Sequence, residues 1–190
     1  MNEHELWSNF KAGDEASFFL LYKKYASVMY RYGCKLSKDK DLVKDCLQQV
    51  FLNLCKGKGN LGNPASIVNY MLKAVRFEII KQSGRNSNFE SLPDDYQFLS
   101  INSHESELIN LQTSEINKKR VEVLLMQLPD RQKEVLFLKY YMNLNTKEIS
   151  FVMGLEQESV YKLTYKAIDK LQQLFLKSYA AIFLLQFIFR

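Results

Sequence analysis

One stretch of the sequence, TKEISFVMGLEQESVYKLTYKA (residues 146–167), limits the fold more than any other. Its apolar residues recur at helical spacing, stop at Gly154 and then resume at helical spacing. Two short helices joined by a tight turn produce this pattern, because glycine adopts a left-handed backbone at little cost. The pattern fits a DNA-reading helix-turn-helix, and it also fits a plain helical hairpin.

The apolar positions favour the helix-turn-helix. The residues that must be apolar when two such helices cross steeply are Ile149, Met153, Leu155, Val160 and Leu163. Ser150 falls where a small residue lets the helices approach closely. In a helix-turn-helix the second helix enters the major groove with its N-terminal residues towards the bases. The candidate DNA contacts are therefore Gln157, Glu158, Ser159, Tyr161, Lys162, Tyr165 and Lys166.

The rest of the chain is also helical in its pattern. Only seven Gly and three Pro occur in 190 residues, and no segment alternates strictly between apolar and polar residues. Helices are predicted over 13–36, with Asp14 as the N-cap, over 38–55 and over 65–81. A glycine-rich loop, 56–64, separates the last two. The sequence predicts an all-α fold.

Charge divides the chain into blocks. Residues 1–88 hold 14 Lys/Arg and 8 Asp/Glu, residues 89–117 hold 6 acids and no base, and residues 118–190 hold 12 bases and 7 acids. Two small helical domains joined by an acidic linker explain this distribution. We expect the second domain, 118–178, to be a four-helix module that contains the helix-turn-helix. An apolar tail, 179–190, follows it.

The sequence offers no support for an enzyme, a cofactor or a metal site. Cys34, Cys46 and Cys55 lack metal-ligand spacing and fit buried positions in helices. His4 and His104 are far apart, and no phosphate-binding glycine loop is present. The odd number of cysteines and the absence of a signal peptide lead us to expect a cytoplasmic protein.

Four separate stretches of the chain resemble one known family. Residues 128–171 resemble the C-terminal promoter-binding domain of the extracytoplasmic-function (ECF) sigma factors of bacterial RNA polymerase. GDEASFFLLYKKY (13–25) matches that family's opening helix, and DCLQQVFLNL (45–54) matches its core-polymerase-binding helix. NYMLKAVR (69–76) follows in the family's order. Because unrelated modules match in order, the likeness is more specific than one helix-turn-helix.

The resemblance implies a dissociable initiation subunit without catalysis of its own, whose partners are core RNA polymerase and promoter DNA. The helix that docks on the polymerase clamp supplies the core-binding candidates Asp45, Gln48, Gln49, Phe51 and Asn53, with Phe51 expected to pack rather than to contact. The part that melts and captures the downstream promoter element supplies Lys56, Lys58, Asn60, Asn63, Tyr70, Lys73 and Arg76. The lysines and the arginine suit strand phosphates, whereas Tyr70 suits either base stacking or core packing. The helix-turn-helix candidates would read the upstream element.

Alternatives stay open at this point. A helix-turn-helix regulator that never binds core polymerase, or a helical interaction protein, would share much of this pattern. The apolar run 179–189 is far shorter than the ~20 residues that span a bilayer. It either extends the last helix and packs on the second domain, or binds a partner such as an anti-sigma factor or polymerase. The recognition helix has lysines but no arginine, and lysine does not match the two-point contacts that arginine makes. Recruitment by another DNA-bound factor is therefore a further alternative.

Overall fold

The computed structural model describes residues 2–84 and 121–188, with side chains as far as residue 176. All regular structure in these two ranges is helical, which confirms the all-α prediction. Contacts group the chain into two compact units. Residues 2–84 with Ser150–Leu155 belong to the first unit, and the other described residues belong to the second. The predicted acidic linker, 89–117, lies outside the described residues.

The first unit begins with a helix that the sequence pattern did not predict, α1 (Glu3–Ala12). Asn2 caps it: the Asn2 side chain accepts from the Glu5 N–H, and the Glu5 carboxylate accepts from the Asn2 N–H. Both orphan donors at the helix start are thereby satisfied. The helix ends at Gly13, whose φ of 101° lies in the left-handed region that glycine favours.

Three longer helices form the core of this unit: α2 (Glu15–Leu36), α3 (Lys40–Gly57) and α4 (Ile67–Gln82). They pack on one another, and α1 packs on α2. Each has a side-chain N-cap, and the predicted cap Asp14 accepts from the Ser17 N–H at 2.9 Å. The core side chains include Leu21, Tyr25, Met29, Tyr32, Val43, Cys46, Val50, Leu54, Met71, Leu72, Val75 and Ile79. A short 3-10 turn, Lys58–Asn60, begins the loop before α4.

The described residues 121–188 contain a helical stretch at residues 121–126 and then α5 (Asp130–Leu136), α6 (Thr146–Met153) and α7 (Gln157–Ile188). Pro129 is the N-cap of α5 rather than its first helical residue, because its ψ of 149° is extended. Past Leu136 the chain continues as a π-helical turn, Phe137–Tyr141. Buried apolar residues here include Leu128, Val135, Leu138, Ile149, Val152, Met153, Val160 and Ala167.

The last helix, α7, runs to Ile188, so the predicted tail continues the helix that precedes it. The side chains of the tail lie outside the described residues, as do residues 189 and 190. Among the described helices none is long and apolar enough to cross a membrane.

Candidate functional site

The loop between α3 and α4 presents four of the predicted downstream-element residues to solvent. Lys56, Lys58, Asn60 and Asn63 are all exposed. The loop is tied to α1, since the Trp7 indole N–H donates to the Gly62 carbonyl at 2.9 Å and Lys11 Nζ donates to Asn63 Oδ1 at 2.5 Å. An exposed, positively charged and locally anchored loop can hold an anionic single strand.

The outer face of α4 continues this surface. Lys73 is exposed and Phe77 is 40% exposed one turn later. Tyr70, half-buried, sits edge-on to Trp7 with ring centroids 5.7 Å apart. Packing therefore holds one side of the Tyr70 ring.

The structure contradicts the assignment of Arg76 to strand phosphates. Arg76 is only 2% exposed, since it lies on the same inward face of α4 as Leu72 and Ile79. The sequence placed Lys73 and Arg76 on one face, three residues apart. The buried face of α4 is wide enough to include Arg76 but does not include Lys73.

The polar face of α3 carries the predicted polymerase contacts. Asp45, Gln48 and Asn53 are exposed, and the half-buried Gln49 donates from Nε2 to Asn53 Oδ1 at 2.8 Å. Phe51 is 4% exposed, so it packs inside the unit and cannot serve as a direct contact. Its ring centroid lies 4.9 Å from that of Tyr22 on α2.

Between α2 and α3 lies an apolar groove of ≈ 820 Å³ that the sequence analysis missed. Phe19, Tyr22 and Leu52 line it and are 66%, 50% and 45% exposed. Gln48 and Phe51 also line it, so the groove adjoins the predicted docking face of α3. A sequence signal existed: SFFLLY holds five consecutive large apolar residues, more than one face of a helix can bury.

The turn between α6 and α7 has the local geometry expected of a helix-turn-helix. Gly154 has φ of 66°, and the Leu155 N–H donates to the Ser150 carbonyl at 3.0 Å. The Ser150 hydroxyl donates to the Leu155 carbonyl at 2.5 Å, which adds a polar role to the predicted small size of Ser150. At the start of α6, Asn145 and Glu148 form a reciprocal capping box.

The first turns of α7 separate cleanly into a buried and an exposed face. Val160, Thr164 and Ala167 are buried, and the Thr164 hydroxyl donates to the Val160 carbonyl at 2.8 Å. All the predicted DNA contacts are exposed: Gln157, Glu158, Ser159, Tyr161, Lys162, Tyr165 and Lys166. Lys162 forms an ion pair with Glu158 at 2.6 Å. This face exposes hydrogen-bond donors, acceptors and two tyrosine rings.

Comparison with known proteins agrees with this geometry. Residues 118–171 match the family model of sigma-70 region 4. The chain is 24% identical over 156 residues to the ECF RNA polymerase sigma factor SigM of Bacillus subtilis (strain 168), a match that covers 82% of this chain and 93% of SigM. The chain carries a sigma-70 region 4 domain and is similar to an ECF sigma factor. It directs promoter recognition, and its partners are core RNA polymerase and promoter DNA.

Solved structures share the fold of this sigma factor. CnrH, solved in complex with the cytosolic domain of CnrY, has a TM-score of 0.60 at 14% identity and covers 91% of this chain and 96% of its own. The sigma factor RpoE, solved with the anti-sigma factor NepR from Bartonella quintana, has a TM-score of 0.55 at 14% identity, covering 85% and 95%. Both likenesses support the all-α architecture.

The three cysteines are free thiols in helices, but only Cys46 is fully buried as predicted, and Cys34 and Cys55 are half-buried. Cys46 is fully buried, and this desolvation raises the pKa of its thiol to about 12. Burial likewise raises the pKa of the Cys55 thiol. In the described part of the chain no group of His, Cys, Asp and Glu is arranged to hold a metal ion.

Proposed function

We propose that this sigma factor divides its work among three surfaces. The polar face of α3 binds core polymerase, the loop 56–64 with α4 holds the displaced strand, and the start of α7 reads the upstream element. The observation that carries the proposal is the exposed face of α7, where every predicted base contact lies opposite the buried Val160, Thr164 and Ala167. Such a face is free to enter a major groove.

Docking on polymerase would use the groove as well as α3. Asp45 and Gln48 offer a charge and an amide, and the neighbouring groove offers Tyr22 and Leu52 as apolar contacts. Interfaces gain most of their affinity from a buried apolar and aromatic centre within a polar rim. A helix of the polymerase clamp that lay along α3 would bury both kinds of residue at once.

Strand opening would rest on lysines and aromatic rings. Lys56, Lys58 and Lys73 are exposed around the loop, and Phe77 shows part of its ring on α4. Lysines attract phosphates without regard to sequence and in a salt-dependent way, and exposed rings stack on unpaired bases. These residues suit a displaced single strand better than an intact duplex.

Upstream recognition would be weak outside the holoenzyme. Residues 129–171 hold 7 bases and 6 acids, and Glu158 already pairs with one of the lysines of the recognition helix. Nonspecific attraction to phosphates is therefore small. Tyr161 and Tyr165 are 61% and 74% exposed, so base-edge and thymine-methyl contacts provide the discrimination. Tethering to polymerase supplies the missing affinity.

We further propose that the chain acts in the cytoplasm as a non-catalytic subunit. An anti-sigma factor is a proposed further partner, since the related RpoE was solved with the anti-sigma factor NepR. The exposed apolar groove between α2 and α3 is a surface that such a protein could cover.

Transcription in vitro tests the proposal. Core polymerase is incubated with fragmented genomic DNA of the source organism, with and without the full chain, and transcript starts are mapped. We expect new starts that share an upstream and a downstream sequence element. A chain that comigrates with core polymerase but yields no new starts, or that binds DNA without core, would contradict the proposal.

A further inference from the structure

The loop that the proposed function assigns to strand capture is held from outside by α1. Two side chains one helical turn apart make the attachment: Trp7 donates to the backbone of Gly62, and Lys11 donates to the side chain of Asn63. Trp7 is 2% exposed and packs against Phe10 and Tyr70 at 5.6 and 5.7 Å between ring centroids. These ring contacts hold the indole in place independently of its hydrogen bond to the loop.

The Lys11 contact also determines which way the Asn63 amide points. An ammonium group has donors and no acceptor, so only the amide oxygen can pair with it. The Asn63 oxygen lies 2.5 Å from Lys11 Nζ, and the residue is exposed. Its NH₂ group, with two donors, is thus directed away from Lys11. The loop presents hydrogen-bond donors rather than an acceptor at this position.

The loop glycines leave open space beside these donors. A Cβ atom built on Gly59 or on Gly62 meets no heavy atom within 4 Å, and neither residue has a left-handed backbone. Neither the local conformation nor internal packing requires glycine at these two positions. The free space on the loop admits the close approach of another molecule to the backbone.

We propose that α1 is a positioning element for the loop: Trp7 fixes the backbone at Gly62, and Lys11 orients the Asn63 amide so that its NH₂ donates to an acceptor on the unpaired promoter strand. The inference rests on the proposed function, since it names the groups that shape the strand-capturing loop. The ligand is an unpaired base or a phosphate. A phosphate offers acceptor oxygens, and a base offers acceptor oxygens or ring nitrogens. Trp7 and Lys11 act through the loop and do not contact DNA themselves.

Three variants test the attachments made by Trp7 and Lys11 separately from the NH₂ donors of Asn63. Trp7→Phe keeps a ring and removes the N–H donor. Lys11→Met keeps the length and removes the ammonium. Asn63→Asp keeps the partner of Lys11 but replaces the outward donors with an acceptor. Lys23→Met, which removes an exposed lysine of α2, is the matched control for lost charge.

The loop itself is measured first, by amide hydrogen exchange on the isolated full chain. We expect the amides of Gly62 and Asn63 to exchange about five-fold faster in Trp7→Phe, because the loop opens more often once the hydrogen bond to the Gly62 carbonyl is lost. We expect no change in Asn63→Asp or Lys23→Met. Equal exchange in Trp7→Phe and wild type would overturn the anchoring role of α1.

Promoter opening is measured next, with reconstituted holoenzyme and permanganate footprinting. Opening by wild type and by each variant is measured on a duplex promoter and on the same promoter with an altered downstream element. We expect Lys11→Met and Asn63→Asp to lose about five-fold in opening and most of the discrimination between templates, while core binding and Lys23→Met stay at wild-type values. Wild-type discrimination in both variants would overturn the inference. A wild-type protein that opens neither template would instead contradict the proposed function.

The sole tryptophan in the sequence provides an independent readout. Trp7 bonds to the loop directly, so a single-stranded oligonucleotide of the downstream element that binds there should change the fluorescence of the isolated chain. A scrambled oligonucleotide of equal length measures sequence-independent binding. A change with the downstream element that Asn63→Asp abolishes supports the inference. A change of equal size in Asn63→Asp would count against the donor role of Asn63.

Discussion

Single residues of this sigma factor show how tightly the first unit is packed. A Cβ atom on Gly33 would lie 2.7 Å from Val43 Cγ1 and 3.0 Å from Ile79 Cδ1. Gly33 lies in the last turn of α2, and glycine inside a helix is unfavourable by itself, by about 1 kcal/mol relative to alanine. The close approach of α3 and α4 at this point explains why it is present.

Replacing Gly33 with Ala should lower the free energy of unfolding by about 1 kcal/mol. Overpacking against the stiff, buried Val43 costs about 1–3 kcal/mol, and the gain in helix propensity offsets part of this. Urea unfolding followed by circular dichroism measures the change. Adding Val43→Ala should couple favourably with Gly33→Ala in a double-mutant cycle. Gly59→Ala, at an open site, is the control. A Gly33→Ala protein more stable than wild type would show that α3 can move aside.

The thiol of Cys46 should react only when the first unit unfolds. A pKa of about 12 leaves roughly one thiolate in ten thousand at pH 8, and the side chain is fully buried. In a protein with Cys34 and Cys55 changed to Ser, labelling by a thiol reagent should follow the unfolding curve in urea. Labelling of native protein at the rate of a free thiol would show local opening of the core around α3.

Among the elements, α1 is a small helix held by polar contacts as well as by its apolar face. Glu3 accepts from Lys24 Nζ at 2.6 Å and from the Tyr25 hydroxyl at 2.9 Å. The hydrogen bond from Lys24 does most to lower the pKa of Glu3. The hydrogen bond from Tyr25 lowers this pKa further. These contacts attach the start of α1 to α2, and Trp7 and Lys11, one and two turns later along α1, hold the loop.

Stability from Glu3 should depend on pH in the acid range. Because its pKa is lower in the folded than in the unfolded chain, its contribution is present above the unfolded pKa and is lost as pH falls through the folded value. The pair is half-exposed, so the contribution is below about 1 kcal/mol. Glu3→Gln should be less stable than wild type at pH 7, and the difference should shrink towards pH 3. A difference that is constant with pH would exclude ionisation as its cause.

At the scale of the whole molecule, the sigma factor exposes apolar surface that its own chain does not cover in the described residues. Phe19, Tyr22 and Leu52 lie along one groove beside the polar face of α3. An exposed apolar patch bordered by polar residues is typical of a protein interface. We propose that core polymerase is the partner that covers this surface.

Leu52→Asp should weaken core binding by about ten-fold or more, because a charge in an apolar interface is buried without a partner. Leu20→Asp is the matched control: Leu20 is 47% exposed on α2, close to the 45% of Leu52, but it does not line the groove. Competition against labelled wild type for core polymerase measures both. Equal losses in the two variants would mean that the groove is not the specific docking surface.

Local pattern explains which parts of this structure were predictable. The spacing of Leu21, Tyr25 and Tyr32 predicted α2, because a helix that buries one face repeats its apolar residues every three or four positions. Asp14 and Gly154 were predictable because capping and left-handed turns depend on the residue itself and its neighbours. The polar face of the recognition helix followed from the same periodicity.

The sequence alone determined the all-α class, the helix-turn-helix and, through four matching stretches, the likeness to ECF sigma factors. Only the tertiary structure decided that Arg76 is buried, that α1 exists and holds the loop, and that a groove lies between α2 and α3. The physical reason is the same in each case. Periodicity tells which residues share a face of one helix, but burial, the Trp7–Gly62 hydrogen bond and a groove between helices depend on segments distant in sequence, whose approach no local pattern records.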